Sequence, residues 1–231
     1  MTGGQRYAIY FSPRPDDRLW DFGSSVVGYD AVTGAVPDQP ELSCISAADF
    51  HARTEDPRQY GFHATLKPPF HLVAGETIDR LLAAAGEFAA SRQAFNVGAL
   101  DVTAIGGFLA LVPAAPSPEL TALADDCVRA FDRFRTPLSS ADRERRMKSP
   151  LTERQIAYLD QWGYPYVFEE FRFHLTLTGR LHHDERDEVK QALSQLYRPV
   201  AAPLVVDGIS VFEQAERGER FTLLQRLAFG A

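Results

Sequence analysis

The chain has 231 residues, of which 45% are hydrophobic and 24% are charged, and its formal net charge is −7. This length fits one domain, or two small lobes that share an interface, with enough apolar residues for a sizeable core. A long RNA or DNA partner is disfavoured, because a basic stripe that neutralises phosphates supplies most of the affinity for such partners. A small phosphorylated molecule needs only a few local cations and stays compatible with the composition.

Neither the N-terminal segment nor the cysteines point to an export or membrane protein. Residues 1–10 lack the basic-then-apolar order of a secretory signal, and no stretch approaches the ~18–20 apolar residues that cross a bilayer. Cys44 and Cys127 have no metal-like spacing and form no disulfide framework. We expect a cytoplasmic protein with reduced thiols and no membrane association, and the sequence leaves its oligomeric state open.

Hydrophobic periodicity and turn residues predict the secondary structure in chain order. The first part contains a strand at 6–12, a strand at 60–66 that ends at Pro68-Pro69, a helix at 77–91, strands at 95–104 and 108–112, and a helix that begins at Ser117-Pro118. The second part contains a polar linker at 137–147, a helix from Ser149-Pro150 to Gly163, a strand at 170–178, a helix at 184–197 and a hairpin at 204–212 and 220–227.

An internal repeat organises these elements. The first copy runs GFHATL, a helix, VGALDV and FLALVP, and the second runs RFHLTL, a helix, VDGISV and FTLLQR. Leu100 follows His63 by 37 residues, and Ile209 follows His174 by 35. Any α+β protein shows some strand–helix–strand similarity. The same His-x-Thr-Leu pattern opens both copies, however, and this favours a duplication.

The repeat predicts an α+β fold of two pseudo-twofold-related strand–helix–strand–strand units. Antiparallel sheets are expected to flank a central cleft, with the helices outside. Within a single bilobal domain over residues 1–231, we predict a lobe with the first motif at about 50–115 and a lobe with the second at about 168–231. A helical connection at about 117–165 joins them.

The His-x-Thr pair is the candidate catalytic centre. Side chains alternate between the faces of a strand, so His63 and Thr65 point the same way, as do His174 and Thr176. Around one phosphodiester, one neutral histidine can act as the general base and the other, protonated, as the general acid. The threonine hydroxyls can donate hydrogen bonds to the phosphate oxygens, where negative charge gathers. The sequence does not distinguish the acid from the base.

The segments GFHATLKPPF and FRFHLTLTGR resemble the paired motifs of the two-histidine phosphoesterases. Together with PLTERQIAYLDQWGYPYVFEEFRFHLTLTG, they are similar to a bacterial branch encoded with carbon–phosphorus lyase genes for phosphonate use. The resemblance covers most of the chain from Tyr7 onward. It implies a bilobal fold, a phosphate-ester substrate, no metal and no other cofactor, with His63 and His174 catalytic and Thr65 and Thr176 binding phosphate.

Strand parity adds further candidates for substrate binding. Lys67 continues the face of His63, and Arg172 and Thr178 continue the face of His174, although each is equally compatible with a solvated rim. Tyr60 and Tyr166 could stack on a sugar or base, as could Tyr164, although packing in the core or rim is an alternative for each.

The motif pair and the resemblance predict a phosphodiesterase that acts on a small cyclic or otherwise activated phosphate ester. Two other function classes stay open. A non-catalytic phosphate or nucleotide sensor could retain the cleft for binding, and an RNA-end processing enzyme could use the same histidines. The histidine-rich stretch at 182–185 superficially resembles a metal cluster, but a solvated turn, with Asp184 capping the following helix, explains it better. The sequence contains neither a Gly-rich phosphate loop followed by Lys-Ser/Thr nor a Gly-x-Ser-x-Gly elbow.

Overall fold

The structure, a computed structural model, describes residues 4–230, so residues 1–3 and 231 of the predicted domain lie outside the described part. The strands are β1 (Arg6–Phe11), β2 (Ala64–Phe70), β3 (Phe95–Gly98), β4 (Leu100–Ile105), β5 (Phe108–Pro113), β6 (Leu175–Thr176), β7 (Leu204–Val206), β8 (Gly208–Gln214) and β9 (Thr222–Ala228). The helices are α1 (Arg18–Val27), α2 (Ala47–Arg53), α3 (Glu55–Arg58), α4 (Ile78–Ala90), α5 (Pro118–Phe131), α6 (Ser140–Met147), α7 (Glu153–Trp162) and α8 (His183–Tyr197). The expected α+β class with antiparallel sheets is confirmed.

The sheets combine strands from both halves of the chain. One sheet has the order β2-β1-β8-β9, a second has the order β4-β5-β6, and β3 pairs with β7; every pairing is antiparallel. The strand after the first His-x-Thr histidine therefore shares a sheet with the C-terminal hairpin, and the strand after the second joins the earlier hairpin β4-β5. The sheets do not follow the two contiguous ranges, 50–115 and 168–231, expected from the sequence, because each motif strand pairs outside its own range.

A single large core lies between these sheets and the helices that cover them. Helix α5 packs on β2, α8 packs on β4 and β5, and α4 packs on β8 and β9. The helices supply apolar stripes at helical spacing, such as Leu81, Ala85 and Ala89 of α4, which are all buried. A smaller cluster around Trp20 and Phe212 covers the opposite face of the larger sheet.

The two strands that carry the motifs are edge strands of the sheets. Strand β2 begins four residues later than expected and runs through Pro68 and Pro69 instead of ending there. Prolines lack the N–H that a second neighbouring strand would require, and an edge strand has no such neighbour. Strand β6 is only two residues long, in place of the strand expected at 170–178. A 3-10 helix occupies Phe168–Glu170, and beyond Thr176 the Oγ1 of Thr178 accepts the N–H of Leu109 at 3.0 Å, in place of a backbone ladder bond.

The predicted linker at 137–147 is wrong, because most of it forms helix α6. Ser139 caps this helix: its Oγ accepts the N–H of Asp142 at 3.1 Å. Helix α6 has no buried residue, so it lacks the apolar periodicity from which a helix is recognised. Ion pairs hold it instead, including Arg143 with Asp160 at 2.6 Å.

Two other helix starts also differ from expectation. Helix α7 begins at Glu153, after Ser149-Pro150, because Thr152 and Gln155 form a reciprocal capping box. Helix α8 has His182 as its N-cap in place of Asp184, and the Glu185 carboxylate accepts the His182 N–H at 2.9 Å. The stretch at 182–185 is thus a helix start and not a turn. Over residues 4–230, no helix combines the length and apolar character that a bilayer crossing requires.

Candidate active site

Two adjoining cavities lie where the edge strands β2 and β6 approach each other. One has a volume of about 510 Å³ and is lined by His63, Thr65 and Thr176, among others. The other has a volume of about 450 Å³ and is lined by His174 and again by Thr65. The residues common to both walls are Thr65, Pro68, Phe108, Tyr164 and Arg180. The four side chains of the two motifs therefore line one continuous cleft.

The two histidines are fixed by the same local hydrogen bond. The Nδ1 of His63 lies 2.9 Å from the carbonyl oxygen of Gly61, and the Nδ1 of His174 lies 2.7 Å from that of Arg172, in each case two residues back. A carbonyl oxygen only accepts, so Nδ1 carries the proton in both rings. Each neutral imidazole thus has its lone pair on Nε2, and the Nε2 of His63 lies 3.3 Å from the Oγ1 of Thr65.

Gly61 is required for the first of these bonds. Its φ of +74° lies in the left-handed region, and a Cβ there would lie 2.8 Å from the Cβ of Ala31. Both observations favour glycine, because a side chain at this position would meet strain and a clash. The turn that Gly61 makes after α3 points its carbonyl oxygen back at the ring of His63.

Tyr10 covers one face of the first imidazole. Its ring stacks on His63 with the centroids 3.8 Å apart and the planes at 24°. Tyr10 is the partner of Thr65 in the β1–β2 ladder, which places the aromatic ring beside the motif. Burial lowers the pKa of His63 to about 4, the Gly61 carbonyl partly offsets this shift, and the charge of His174 lowers the pKa further. Burial also lowers the pKa of His174, against the opposing effect of the Arg172 carbonyl.

The expectation that Lys67 faces the cleft is wrong. Between the Tyr10–Thr65 and Ile9–Lys67 pairs, two steps along β2 match one step along β1, which is a β-bulge that interrupts the alternation of faces. Lys67 is consequently buried, and its Nζ donates to the Val128 carbonyl at 3.1 Å and to the Asp132 carboxylate at 3.0 Å. Its charge is neutralised inside the fold, and it lines neither histidine cavity.

The two candidates that flank the second motif differ from each other. The hydroxyl of Thr178 lines the His63 cavity, but it is buried, accepts from the Leu109 N–H and donates to the Gly179 carbonyl at 2.9 Å. These bonds occupy its proton, so Thr178 shapes the wall and has no hydroxyl proton to offer an anion. Arg172 is exposed and lines the His174 cavity, where its guanidinium can reach a ligand.

The tyrosine candidates lie on the cleft walls. Tyr60 is half-buried in the His63 cavity, with its ring centroid 6.0 Å from that of His63, and it stacks on Phe221 at 5.3 Å. Tyr166 lines the His174 cavity, is 42% exposed, and meets Tyr164 edge-on at 5.5 Å. Tyr164 lines both cavities. All three rings are available to a bound sugar or base.

Two cleft arginines could not be recognised from the sequence pattern. Arg146 lies on α6, the segment expected to be a linker, and its guanidinium sits over the Tyr164 ring at 5.0 Å while lining the His63 cavity. Burial lowers the pKa of Arg146, and its Nε is buried with no hydrogen-bond partner among residues 4–230. Arg180 is exposed and lines both histidine cavities. The only sequence signal for Arg146 was the basic character of ADRERRMKSP, and Arg180 is the last residue of the segment FRFHLTLTGR.

The donor groups of the cleft differ from those of a metal site. Within the described residues, no three or more His, Cys, Asp or Glu side chains come together in a way that could hold a metal ion. The cleft instead combines two imidazoles, two hydroxyls and guanidinium groups, which is a set of donors suited to an anion.

A family model described as "Protein of unknown function (DUF1045)" matches residues 65–222, which is more than half of the chain. The chain belongs to the DUF1045 family. The matched region begins at Thr65 of the first motif and includes all of the second. The DUF1045 region therefore contains three of the four motif side chains, and the remaining one, His63, lies two residues before it.

Curated relatives of this DUF1045 protein carry the name "Ribose 1,5-bisphosphate phosphokinase PhnN". One, from Janthinobacterium sp. (strain Marseille), is 36% identical over 229 residues, covering 97% of this chain and 51% of that protein. Another, from Laribacter hongkongensis (strain HLHK9), is 33% identical over 226 residues, covering 94% and 50%. The chain therefore spans about half the length of the curated relatives it matches.

Solved structures similar to this DUF1045 chain include phosphoesterases. One is described as a crystal structure of phosphoesterase, with a TM-score of 0.43, 14% identity and 99% of both chains covered. Escherichia coli LigT complexed with NADP+ gives a TM-score of 0.44 and 15% identity, and its complex with 3'-AMP gives 0.42 and 14%; both cover 98% of this chain and 99% of that one. The resemblance to phosphoesterases expected from the sequence is confirmed as a similarity.

Proposed function

We propose that this protein is a metal-independent phosphodiesterase that opens a small cyclic phosphate ester by His/His general acid–base catalysis. The observation that carries the proposal is the shared cleft, in which both threonines and His63 line one cavity and His174 lines the next, with Thr65 on the wall of both. The matching Nδ1 bonds support it further, because they leave each Nε2 for proton transfer.

In the proposed reaction, water attacks phosphorus and one P–O bond of the ring breaks. We assign the base to His63, because a pKa of about 4 keeps it neutral near pH 7 and able to take the proton of water. His174 then donates a proton to the leaving alkoxide oxygen. A bound phosphate anion favours the protonated form of a nearby imidazole, so substrate binding itself prepares the acid. The product is a phosphomonoester with a free hydroxyl group.

The proposal gives the other cleft residues roles in binding. The hydroxyls of Thr65 and Thr176 donate to the non-bridging phosphate oxygens, where charge increases in the transition state. For this, Thr65 gives up its bond to the Nε2 of His63, which is then free to act as the base. Arg146, Arg172 and Arg180 supply positive charge around the cleft, and Tyr60 and Tyr166 pack against the organic part of the substrate. The identical fixing of the two histidines also supports the proposal that the two halves of the chain arose by duplication.

The names of the curated relatives support a ribose-derived substrate. A P-loop kinase carries a Gly-rich loop followed by Lys-Ser/Thr, and this chain has none. We therefore assign the kinase activity in those names to the half of the relatives that this chain does not span. For the present chain we propose a cyclic ribose phosphate from phosphonate breakdown, whose opening gives a phosphomonoester that such a kinase can accept.

Two other functions compete with this proposal. A non-catalytic phosphate or nucleotide sensor would bind the same esters without turnover, although arginine in place of histidine would serve it better. RNA-end processing would use the same two histidines, but the formal net charge of −7 offers little attraction for a long polyanion.

Turnover of a panel of cyclic phosphates by the purified protein in EDTA separates these functions. We expect hydrolysis of a small cyclic ester, reduced ~10²–10⁴-fold by His63→Ala and by His174→Ala. His183→Ala, at an exposed imidazole outside the cleft, is the matched control and should retain activity. Binding without turnover favours the sensor, preference for RNA ends favours end processing, and activity lost under chelation contradicts the metal-independent mechanism.

A further inference from the structure

A third cavity, which none of the predicted catalytic residues lines, adjoins the cleft. It has a volume of about 610 Å³ and shares Pro68, Pro69 and Arg146 with the His63 cavity. Its other walls include Arg6 of β1, Arg145 of α6 and Arg217 of the turn between β8 and β9. Lys67 and Arg135 also line it, but both pair with Asp132. We call it the basic cavity, after its four other arginines, 6, 145, 146 and 217.

The positive charge of the basic cavity is only partly neutralised by the protein. Asp142 lies 2.6 Å from the guanidinium of Arg145 and 3.9 Å from that of Arg217, so one carboxylate serves two arginines. Arg6 donates to the Gln214 side-chain oxygen, an uncharged acceptor. In the described part of the chain, neither Arg6 nor Arg146 has a carboxylate within ion-pair distance. Apart from Arg135, which has Asp132, the four guanidiniums of the cavity thus share one acidic partner.

Such a cluster is unexpected in an acidic protein, because like charges in a partly buried space repel one another. Burial lowers the pKa of Arg6, and the charges of Arg217 and Arg145 lower it further. Burial likewise lowers the pKa of Arg146, whose buried Nε has no partner among residues 4–230. A bound anion would relieve the repulsion and supply the missing acceptor.

We propose that the basic cavity binds a phosphomonoester group of the substrate, so that the substrate of this protein carries two phosphates. The cyclic diester lies in the histidine cleft and the second phosphate lies among the four arginines. A phosphomonoester suits the site better than a carboxylate does, since its three terminal oxygens accept from several guanidiniums at once. This inference rests on the proposed function and names the substrate class of the same site.

The position of the two subsites limits the size of the substrate. Arg6 and Tyr10 lie four residues apart on one face of β1, which corresponds to ~13 Å between their Cα atoms. Arg6 lines the basic cavity and Tyr10 lines the His63 cavity, so this spacing sets the scale of a substrate that reaches both. Arg146 lines both cavities and therefore lies between the two phosphates.

The test compares a pentose cyclic phosphate with the same compound carrying a 5-phosphate. We expect the wild-type protein to prefer the 5-phosphorylated compound by ~100-fold or more in kcat/KM, because each charge-assisted bond to phosphate contributes ~10-fold or more. The double variant Arg145→Gln/Arg217→Gln should lose most of this preference while hydrolysing the other compound normally, since neither residue lines the histidine cavities. Arg80→Gln/Arg129→Gln removes two other ion-paired surface arginines, which line neither the basic cavity nor the histidine cavities, and should retain the preference.

Hydrolysis of neither compound would count against the proposed function. In that case, a titration with inorganic phosphate tests the basic cavity separately. Inorganic phosphate should then raise the Tm of the wild-type and Arg80→Gln/Arg129→Gln proteins more than that of Arg145→Gln/Arg217→Gln. Equal phosphate shifts in all three proteins would overturn the basic-cavity proposal. Hydrolysis of both compounds at equal kcat/KM would also overturn it, because the cavity would then bind no phosphate of the substrate.

Discussion

His63 owes its properties to contacts that act at the scale of one residue. Tyr10 stacks on the ring, Gly61 fixes Nδ1, and the surrounding burial lowers the pKa to about 4. A histidine in an unfolded chain has a pKa of ~6.5. Between these two values the unfolded chain binds a proton that the folded protein does not bind. The proton therefore favours unfolding as the pH falls.

The first prediction follows from this difference in proton binding. The stability contribution of neutral His63 is fully present above pH ~6.5 and is lost as the pH falls towards 4. In His63→Asn the amide can still donate to Gly61, but the titrating group is gone. Between pH 7.5 and pH 5, this variant should therefore lose less free energy of unfolding than the wild-type protein, by up to roughly 2 kcal/mol. Urea unfolding at the two pH values measures the free energy of unfolding.

The exposed His183 supplies the control for this prediction. His183→Asn should show the same loss of stability between pH 7.5 and pH 5 as the wild-type protein. A pH dependence of His63→Asn that equals that of the wild type would contradict the low pKa of His63 in the folded state.

Lys67 shows why strand parity predicted some site residues and not others. Parity is correct for His63 and Thr65, which precede the irregularity in the β1–β2 ladder, and it fails one step later. A β-bulge depends on the register with the neighbouring strand, and a single strand's sequence contains no signal of that register. The common facing of His63 and Thr65 could therefore be predicted, and the buried ion pair of Lys67 with Asp132 could not.

The second prediction tests the structural role of Lys67. Lys67→Met should reduce the free energy of unfolding by about 1–3 kcal/mol, because Asp132 keeps its bond to Arg135 at 2.8 Å. Asp132→Asn should cost more, about 3–5 kcal/mol, because it leaves the buried ammonium without a carboxylate. Urea unfolding ranks the two variants, and kcat/KM of Lys67→Met should change little. If Lys67→Met instead loses much of its activity at unchanged stability, Lys67 contributes to substrate binding and its structural role is contradicted.

At the scale of elements, helix α1 packs against Phe62, the residue that precedes the first motif. A Cβ built on Gly23 of α1 would lie 2.1 Å from the ring of Phe62, which is fully buried and directly precedes His63. The helix thus packs its backbone against the aromatic ring, and this close approach requires glycine. The position of His63 depends on that contact.

The third prediction compares two helical glycines. Gly23→Ala should destabilise the protein by about 1–3 kcal/mol through overpacking and should lower kcat/KM, because Phe62 must move. Gly86→Ala in α4 is the matched control, since its added Cβ meets only the Leu227 Cδ2 at 4.0 Å. Alanine should stabilise α4 by about 0.5–1 kcal/mol at that position. Thermal unfolding with steady-state kinetics measures both effects, and equal behaviour of the two variants would refute the role of Gly23.

Helices with an apolar face were predictable at this scale, and the helix without one was not. Helix α4 was expected at 77–91 and spans Ile78–Ala90, because its buried stripe repeats every three to four residues. Helix α6 has no buried residue and depends on its cap and surface ion pairs, which leave no periodic signal. Its contribution to the cleft, Arg146, was missed for the same reason.

At the scale of the whole molecule, strand order was the feature that the repeat could not predict. Hydrophobic patterns predicted the succession of strands and helices, and so the α+β class. The choice of partners depends on contacts between residues far apart in the chain: Tyr10 pairs with Ser210, and Ala110 pairs with Thr176. Because these ladders cross between the two halves, neither sheet can be completed by one half alone.

The fourth prediction concerns the cooperativity of unfolding. The chain has two tryptophans, of which Trp20 is buried beside the larger sheet and Trp162 packs on Phe168 at 5.3 Å, in a separate cluster. Trp162→Phe leaves Trp20 as the tryptophan that reports unfolding by fluorescence, and Trp20→Phe leaves Trp162. In each variant, the urea midpoint from tryptophan fluorescence should coincide with that from far-UV circular dichroism, because one cooperative unit includes both regions.

The expected agreement follows from the exchange of strands, since unfolding either half removes strands from both sheets. Substitution of the buried Trp20 will lower the midpoint itself, so the comparison is between probes within each variant and not between variants. The contrary result would be two resolved transitions, in which the fluorescence of Trp162 follows only one and the far-UV signal follows both. It would mean that the α7 region unfolds independently. The cleft that lies between β2 and β6 would then lose one wall, with Tyr164 and Tyr166, before the sheets separate.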